Sequence, residues 1–370
     1  MGRTKSIKVL QMNSMNMWGG GEVHVLLLCK QLLALGDSVV LACRSGSAID
    51  QRAREEQIPV LNLPLKGAID IKSARRIANY CREHSVDIIH AHNGRDYWIA
   101  VLAKCFYPNL KVIITRHILS PLKETFLHRW LYKKIDRVIS VSQAVKNRIS
   151  VFPSEKITVI HNGIDINVFY AAKPGMLRKE LNLSSATKIV GMVGRVHPSK
   201  GHATFLESIP TIVSQYPDVV FVIVGDGEYV TQLKKMNAPV HFLGKRNNIP
   251  EVMKDLDVFV MASLNEPFGL VTVEAMAAGA VVVAANSGGT AEIIVDGESG
   301  LLIPPKDPAR LAEAVVKMLN DDNLATKLRE GGIERAKQYN IDNMVLNTQK
   351  IYCDIQSSKN LSNSTGEDYE

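Results

Sequence analysis

The sequence predicts an α/β protein of two doubly wound domains, each a parallel sheet flanked by helices. Apolar runs of strand length alternate with amphipathic helical patterns, as in βαβ units. The length of 370 residues favours about two domains, and a hydrophobic fraction of 46% is sufficient for two cores. In such folds ligands bind at the carboxyl edge of the sheet, so polar residues that follow strands are the first candidates for a site.

Strand and helix patterns alternate through the first half of the chain. Helical patterns include Glu22–Leu35 and Ile71–His84. The predicted strands of this half are Ile7–Met12, Val39–Cys43, Asp87–Ala91, Lys111–Thr115, Arg137–Val141 and Thr158–Ile160.

The same alternation returns in the second half, after an interruption at Asn167–Gly175 that predicts a linker. We therefore expect domains at residues 1–168 and 176–340. Residues 357–370 have almost no large apolar side chains, and we expect a disordered tail there. The predicted strands of the second half are Ile189–Val193, Val219–Val224, His241–Leu243, Val258–Met261 and Val281–Ala284.

Two glutamates, Glu266 and Glu274, stand eight residues apart at a predicted strand-to-helix junction. A helical pattern runs from Leu270 to Ala278, with Pro267 near its first turn. Free N–H groups and the helix dipole favour a phosphate at such a helix start. Carboxylates do not bind phosphate, so we expect the glutamates to face hydroxyl groups, as a nucleotide-sugar would offer. The alternative is an acidic cap followed by a solvated glutamate.

Two cations, Arg195 and Lys200, follow another predicted strand, Lys188–Val193. Their loop would lie at the carboxyl edge of the sheet, where ligands bind. A guanidinium and an ammonium suit a diphosphate and stabilise the charge of a departing phosphate. The alternative is a pair of solvated surface cations.

As a set, these motifs resemble the family 4 retaining glycosyltransferases. The resemblance covers about residues 7–355 and implies the GT-B fold, two Rossmann-like doubly wound domains facing across a cleft. It implies an N-terminal acceptor-binding domain, a C-terminal nucleotide-sugar-binding domain, and a last helix at about 342–356 that packs back on the first domain. The residues that carry it are Glu266 and Glu274 with seven residues between them, Gly194-Arg195, Lys200-Gly201, Gly19-Gly20-Gly21 and His161-Asn162-Gly163-Ile164-Asp165.

The resemblance also implies an activity and roles for single residues. A sugar would move from a nucleotide-diphosphate sugar, UDP favoured, with retained anomeric configuration and with neither a metal nor a separate cofactor. Glu266 would hold the sugar and Glu274 the ribose. His117, which follows the strand Lys111–Thr115, would contact the sugar and support positive charge at its anomeric carbon. The other expected donor contacts are Gly20, Gly21, Arg195, Lys200, Lys245, Arg246, Phe268, Gly269, Leu270 and Val271.

Charge is distributed unevenly along the chain. Residues 1–170 hold 24 Lys and Arg against 13 Asp and Glu, and the remainder holds 20 against 24, so net charges of +11 and −4 give +7. The densest basic stretch, residues 122–134, mixes aromatic and cationic side chains. It favours an anionic acceptor or membrane surface, with a helix packed on the sheet as the alternative. Nucleic acid is a poorer explanation, because no recognised binding motif is present.

The remaining patterns narrow the class of protein. Five dispersed cysteines without a CxxC motif argue against a disulfide framework or a zinc site. No signal peptide or apolar run of about 18 residues occurs, so we expect a cytoplasmic protein, peripheral at the inner membrane face, that acts on a glycan or a lipid-linked acceptor. Two other functions fit the same scaffold: a non-catalytic nucleotide-sugar-binding subunit, and an epimerase or hydrolase of nucleotide sugars.

Overall fold

The computed structural model describes residues 6–364, with side chains to residue 357. Two compact units each hold one parallel sheet flanked by helices, which confirms the predicted fold class. The first unit contains the described residues up to Asn162 and the last helix from Ile341, and the second is Gly163–Asn340.

Seven strands form the sheet of the first unit, in the order β3-β2-β1-β4-β5-β6-β7. The central strands are buried along nearly their whole length, as expected where helices cover both faces of a parallel sheet. The strands are β1 (Lys8–Asn13), β2 (Ser38–Cys43), β3 (Val60–Asn62), β4 (Ile88–Ala91), β5 (Lys111–Arg116), β6 (Arg137–Ser140) and β7 (Ile157–Val159).

Helices connect most of the successive strands, as crossovers between parallel strands. They are α1 (Gly20–Ala34), α2 (Ala48–Glu55), α3 (Ile71–Glu83), α4 (Gly94–Phe106), α5 (Phe126–Lys133) and α6 (Gln143–Lys146), with a 3-10 turn at Ser154–Lys156.

The sheet of the second unit has six strands in the order β10-β9-β8-β11-β12-β13. The strands are β8 (Lys188–Val193), β9 (Val219–Val224), β10 (Val240–Gly244), β11 (Val258–Met261), β12 (Val281–Ala285) and β13 (Leu301–Ile303). The helices are α7 (Ile166–Tyr170), α8 (Met176–Glu180), α9 (His202–Gln215), α10 (Val230–Lys234), α11 (Ile249–Asp255), α12 (Leu270–Ala278), α13 (Thr290–Ile293), α14 (Pro308–Asn320) and α15 (Asp322–Ala336), with 3-10 turns at Pro198–Lys200 and Lys337–Tyr339.

The last helix, Ile341–Ser364, packs on the first unit. The Tyr352 side chain is fully buried in the first unit's core, and the Gln349 amide donates to Asp37 at 2.6 Å. Residues 357–364 continue this helix, where the sequence predicts disorder, and the rest of that predicted tail lies outside the described residues. The predicted linker, residues 167–175, overlaps α7, and the division between the units falls earlier, between Asn162 and Gly163.

Each sheet has one point where the order of its strands reverses. It lies between β1 and β4 in the first unit and between β8 and β11 in the second. Loops diverge there, above and below the sheet, and leave a crevice at the carboxyl ends of the strands. The fold therefore places the residues after β1, β4, β8 and β11 where a ligand binds.

In the described part of the chain, none of the helices has both the length and the apolar composition needed to cross a bilayer. All five cysteines are free thiols.

Candidate active site

The loop after β8 lies against the loop after β9 at close range. A Cβ atom on Gly225 would come within 1.8 Å of the Gly194 carbonyl oxygen, and one on Gly227 within 2.0 Å of the Val196 carbonyl oxygen. Only glycine permits this packing, and Gly194 and Gly225 also have positive φ angles of 142° and 137°. The contact holds the backbone around Arg195 in place. The Arg195 side chain is exposed and makes no hydrogen bond or ion pair with any described residue.

The second predicted cation, Lys200, contacts the first of the two glutamates. Its Nζ atom lies 2.7 Å from Glu266 Oε2, and the carboxylate side chain is only 9% exposed. The Leu264 amide donates to the Ser199 carbonyl at 2.9 Å and so joins the loop after β11 to the loop after β8. The fold therefore brings together two of the predicted site residues that are 66 positions apart.

The start of α12 is built from close backbone contacts. Gly269, the residue before the helix, has φ 108° and ψ 53°, a left-handed conformation that favours glycine. The Gly289 amide donates to the Glu266 carbonyl at 2.7 Å, and a Cβ atom on Gly288 would come within 2.1 Å of the same oxygen. Glu266 is therefore held by its backbone as well as by Lys200.

Two buried hydroxyl groups also converge on this helix start. Thr272 Oγ1 and Thr290 Oγ1 have no hydrogen-bond partner among the described residues. A Cβ atom on Gly269 would lie 3.4 Å and 3.3 Å from them, respectively. Buried polar atoms are usually paired, so unpaired hydroxyls beside a free helix N-terminus are a mark of a ligand site.

Glu274 lies about one turn inside α12 and is partly buried. Its carboxylate makes no hydrogen bond or ion pair with any residue the structure describes. Burial therefore acts unopposed and raises the pKa of Glu274 to about 7. A carboxyl group held this way is destabilised in its charged form, which is common at functional sites and rare elsewhere.

The predicted contacts after β10 have a different environment. Arg246 makes a bidentate pair with Glu180, one bond of which measures 2.9 Å, and this pairing raises the pKa of Arg246 and lowers that of Glu180. The Arg246 guanidinium is therefore already engaged by Glu180. The Gly244 carbonyl, just before Lys245, accepts from the Gly225 amide at 2.8 Å and joins this strand end to the loop after β9.

In the first unit, Gly20 and Gly21 are the first residues of α1, directly after the loop that follows β1. A Cβ atom on Gly21 would meet nothing within 4 Å, so the space beside its backbone is open. Glu22 is buried and accepts from Asn13 Nδ2 at 3.1 Å, while burial raises the pKa of its carboxyl group.

His117 follows β5 and belongs to a cluster of four histidines. Its Nε2 atom lies 3.3 Å from His92 Nδ1, and its ring meets the His24 ring edge-on at 4.7 Å. His90 lies beside His92, with ring centroids 4.2 Å apart. Burial lowers the pKa of all four imidazoles, that of His24 to about 4, so the cluster is neutral at pH 7.

One buried residue of these sites, Asp96, was missed by sequence reasoning. Asp96 is fully buried in the first unit, with Oδ2 accepting from the Ser14 amide at 3.0 Å and Oδ1 unpaired, and burial raises its pKa to about 7. His24 also has both ring nitrogens buried without a described hydrogen-bond partner. Asp96 has no motif around it, whereas the resemblance to family 4 implied that His24, just after the first glycine run, lies near the cleft.

Comparison with known proteins decides the family. Residues 18–168 match the family model described as Glycosyltransferase Family 4, and residues 176–335 match that of Glycosyl transferases group 1. An uncharacterised glycosyltransferase of Methanocaldococcus jannaschii is 30% identical over 72% of this chain and 75% of its own length. The chain belongs to glycosyltransferase family 4.

Other known proteins align over nearly the full length. The UDP-Gal:alpha-D-GlcNAc-diphosphoundecaprenol alpha-1,3-galactosyltransferase of Escherichia coli is 28% identical over 91% of this glycosyltransferase and 91% of its own chain. The crystal structure of Anabaena HepE in complex with UDP superposes with a TM-score of 0.81 and covers 95% of this chain and all of its own, at 23% identity. These proteins share the fold, and the sequence resemblance to family 4 is confirmed.

The geometry gives this glycosyltransferase two groups of polar residues, one at the crevice of each sheet. The second unit contributes a free guanidinium, a lysine–glutamate pair, an open helix N-terminus and an unpaired carboxyl group. The first contributes neutral imidazoles and an accessible glycine turn. An anion with attached hydroxyl groups suits the second set, and an uncharged polar group suits the first.

Proposed function

We propose that this glycosyltransferase transfers a sugar from a nucleotide-diphosphate sugar, with UDP-sugars favoured, and retains the anomeric configuration. Its donor would bind at the carboxyl edge of β8 and β11 with the diphosphate over the start of α12. The observation that carries this assignment is Glu274, a partly buried carboxyl group without a partner, about one turn inside a helix with a free N-terminus. A ribose supplies the hydroxyl donors that this group lacks. The bound UDP in Anabaena HepE, a protein of the same fold, supports the choice of nucleotide.

The reaction would follow from the charges around the diphosphate. As the bond between the anomeric carbon and the phosphate oxygen breaks, its electron pair goes to the phosphate. Arg195, Lys200 and the amides of residues 269–271 stabilise that charge without a metal ion. The acceptor oxygen attacks from the same face and passes its proton to the departing phosphate. Glu266 orients the sugar hydroxyls, held in place by Lys200 at 2.7 Å.

His117 has a role on the sugar side of this reaction. Positive charge builds at the anomeric carbon as the phosphate leaves, and a protonated imidazole nearby would oppose it. Burial and the neighbouring histidines keep the pKa of His117 well below its usual value, so the ring stays neutral. A neutral ring contacts the sugar and leaves the developing charge undisturbed.

The acceptor would be an anionic or lipid-linked glycan that the first unit receives at the cytoplasmic face of a membrane. The first 170 residues have a net charge of +11. Helix α5 exposes an apolar patch of Phe126, Leu127 and Trp130, which are 83%, 59% and 38% exposed. The alternative was a helix that packs Phe126, Leu127, Trp130 and Leu131 on the sheet. Of these four residues only Leu131 is buried. The lipid-linked acceptor in the name of the Escherichia coli relative supports this assignment.

Cations surround the α5 patch. Arg129 and Lys133 line a hollow of about 410 Å³ beside it, together with Lys156, and Lys134 Nζ lies 5.3 Å from the centre of the Trp130 ring. Aromatic side chains flanked by cations fit the interface of an anionic bilayer, where each cation contributes about 1 kcal/mol.

Vesicle co-sedimentation tests this part of the proposal. Binding is expected to rise with the fraction of anionic lipid, fall with salt, and drop sharply in Phe126→Ser with Trp130→Ser. Ile69→Ser is the control, because Ile69 is an apolar residue of the same unit that is 68% exposed and lies outside α5. Equal and negligible binding to anionic and neutral vesicles, with efficient use of a neutral soluble acceptor, would show that the basic face is only solvated.

A panel of UDP-, GDP- and ADP-sugars tests the function as a whole, with release of the nucleoside diphosphate as the readout. We expect slow hydrolysis of one class of donor without acceptor, and faster release when the acceptor is added. Binding of a nucleotide-sugar without any turnover would instead identify a binding subunit. Conversion of the sugar with the nucleotide still attached would identify an epimerase.

A further inference from the structure

A continuous chain of buried hydrogen bonds links the last helix to His117. The Tyr352 hydroxyl accepts from Gln11 Nε2 at 2.8 Å, and Gln11 Oε1 lies 2.8 Å from His92 Nε2. His92 Nδ1 lies 3.3 Å from His117 Nε2. Tyr352, Gln11 and His92 are almost completely buried, so no water competes for these bonds. All four residues belong to the first unit.

The orientation of Gln11 fixes the direction of every bond in the chain. Because the Gln11 oxygen faces His92 Nε2, that nitrogen carries the proton and donates it. The other nitrogen of a neutral imidazole is an acceptor, so His92 Nδ1 accepts from His117 Nε2–H. Nδ1 of His117 is then left with a lone pair. It makes no hydrogen bond with the described residues, and the His117 side chain is partly exposed.

The Tyr352 hydroxyl holds Gln11 in that orientation. It accepts one bond from the Gln11 amide and donates its own proton to His90 Nδ1 at 2.6 Å. His90 Nε2 in turn donates to Thr115 Oγ1 at 2.6 Å. In this arrangement the hydroxyl gives its proton to His90 and receives the Gln11 amide on a lone pair, so the directions of the two bonds are coupled.

We propose that Tyr352 is a positioning residue that fixes the tautomer of His117, through Gln11 and His92, as the form protonated on Nε2. The consequence of this tautomer rests on the proposed function. Nδ1 of His117 presents a lone pair that accepts a hydrogen bond from a hydroxyl of the donor sugar. The opposite tautomer would present an N–H group there. A helix at the far end of the chain thereby determines which hydrogen bond the sugar can make.

Histidine side-chain ¹⁵N correlation spectra at pH 7 test the tautomer directly, on the whole chain and without any substrate. The signals of His117 are assigned by their loss in His117→Asn. In the wild type we expect one set of shifts, those of the form protonated on Nε2. In Tyr352→Phe the amide of Gln11 can turn over, and we expect shifts of His92 and His117 that report a mixture of both tautomers.

Tyr97→Phe is the matched control, because the Tyr97 hydroxyl is similarly buried in the same unit but donates to the Thr115 main-chain carbonyl rather than to Gln11 or a histidine. It is expected to leave the His117 shifts unchanged. Wild-type shifts of the form protonated on Nδ1, or wild-type His117 shifts in a folded Tyr352→Phe, would overturn the proposal.

Kinetics test the consequence separately. For equally populated tautomers, the kcat/KM of Tyr352→Phe for the donor should fall about twofold, since only the competent half of the free enzyme binds the sugar productively. The tautomer result stands on the spectra alone, so a wild type that shows the expected tautomer but releases no nucleotide would refute the proposed function and leave this inference intact. A shifted tautomer with unchanged kcat/KM for the donor would overturn the link to the sugar.

Discussion

Replacement of Glu274 by glutamine should stabilise the protein, and by an amount that depends on pH. The structure gives this carboxyl group no hydrogen bond or ion pair in the described part of the chain, and burial raises its pKa from 4.5 to about 7. Between these two values the folded protein holds a proton that the unfolded chain has released. Stability from this group is therefore present below pH 4.5 and is lost as the pH rises through 7.

The size of the effect follows from that shift. At 1.36 kcal/mol per pKa unit, ionisation of Glu274 destabilises the folded state by about 3 kcal/mol above pH 7. Glutamine has a similar shape and does not ionise, so it avoids this loss. We expect the free energy of unfolding of Glu274→Gln, relative to wild type, to increase by about 2.5 kcal/mol between pH 5 and pH 8.

Calorimetric unfolding of the wild type and the variant at the two pH values measures this difference, with attention to the transition of the second unit because two-unit chains do not always unfold in one step. Glu207→Gln serves as the control, since Glu207 is an exposed glutamate on α9 of the same unit. A difference that does not change with pH, or that matches the control, would refute the view that Glu274 is held unpaired for a ligand. UDP binding should weaken in Glu274→Gln even as stability increases, because a functional carboxylate costs stability in the absence of its ligand.

Three further predictions concern the donor. Glu274→Ala should weaken binding of free UDP, whereas Glu266→Ala should chiefly reduce transfer; equal losses of UDP affinity in calorimetry would mean that these roles are wrongly assigned. Transfer should persist in EDTA, because Arg195 and Lys200 supply the positive charge, and activity lost in EDTA and restored by Mn²⁺ or Mg²⁺ would contradict this. The anomeric proton coupling of the product, measured by NMR, should match that of the donor sugar, and inversion would exclude the proposed same-face route.

Most of the fold was predictable because the central strands are long and apolar. Val219–Val224 and Leu270–Ala278 have the predicted bounds, since strand and helix periods are clear there. The strands β3 and β13 were missed; each has three residues at the edge of its sheet, although β7, equally short and also at an edge, was predicted. The last helix continues beyond its apolar face, where composition alone favours disorder.

The polar residues of the second unit were easier to place from the sequence than the histidine cluster of the first unit. Charged residues after β8 and β11 follow a rule of topology, so Arg195, Lys200 and Glu266 were found from their positions. The histidine cluster joins residues from three separate segments, and nothing in the spacing of Gln11, His92 and Tyr352 shows that they touch. The pairing of Arg246 with Glu180 was equally hidden, because the two residues lie 66 positions apart.

The central claim is that the loop after β8 binds the diphosphate of the donor, and titration of UDP into wild type and Arg195→Ala tests it most directly. Arg195 is exposed and has no partner among the described residues, so its removal should leave the fold intact, which circular dichroism checks. Loss of a charged hydrogen bond should weaken UDP binding by about 1.5–3 kcal/mol, roughly 10- to 150-fold. An unchanged affinity in the folded variant would contradict the claim.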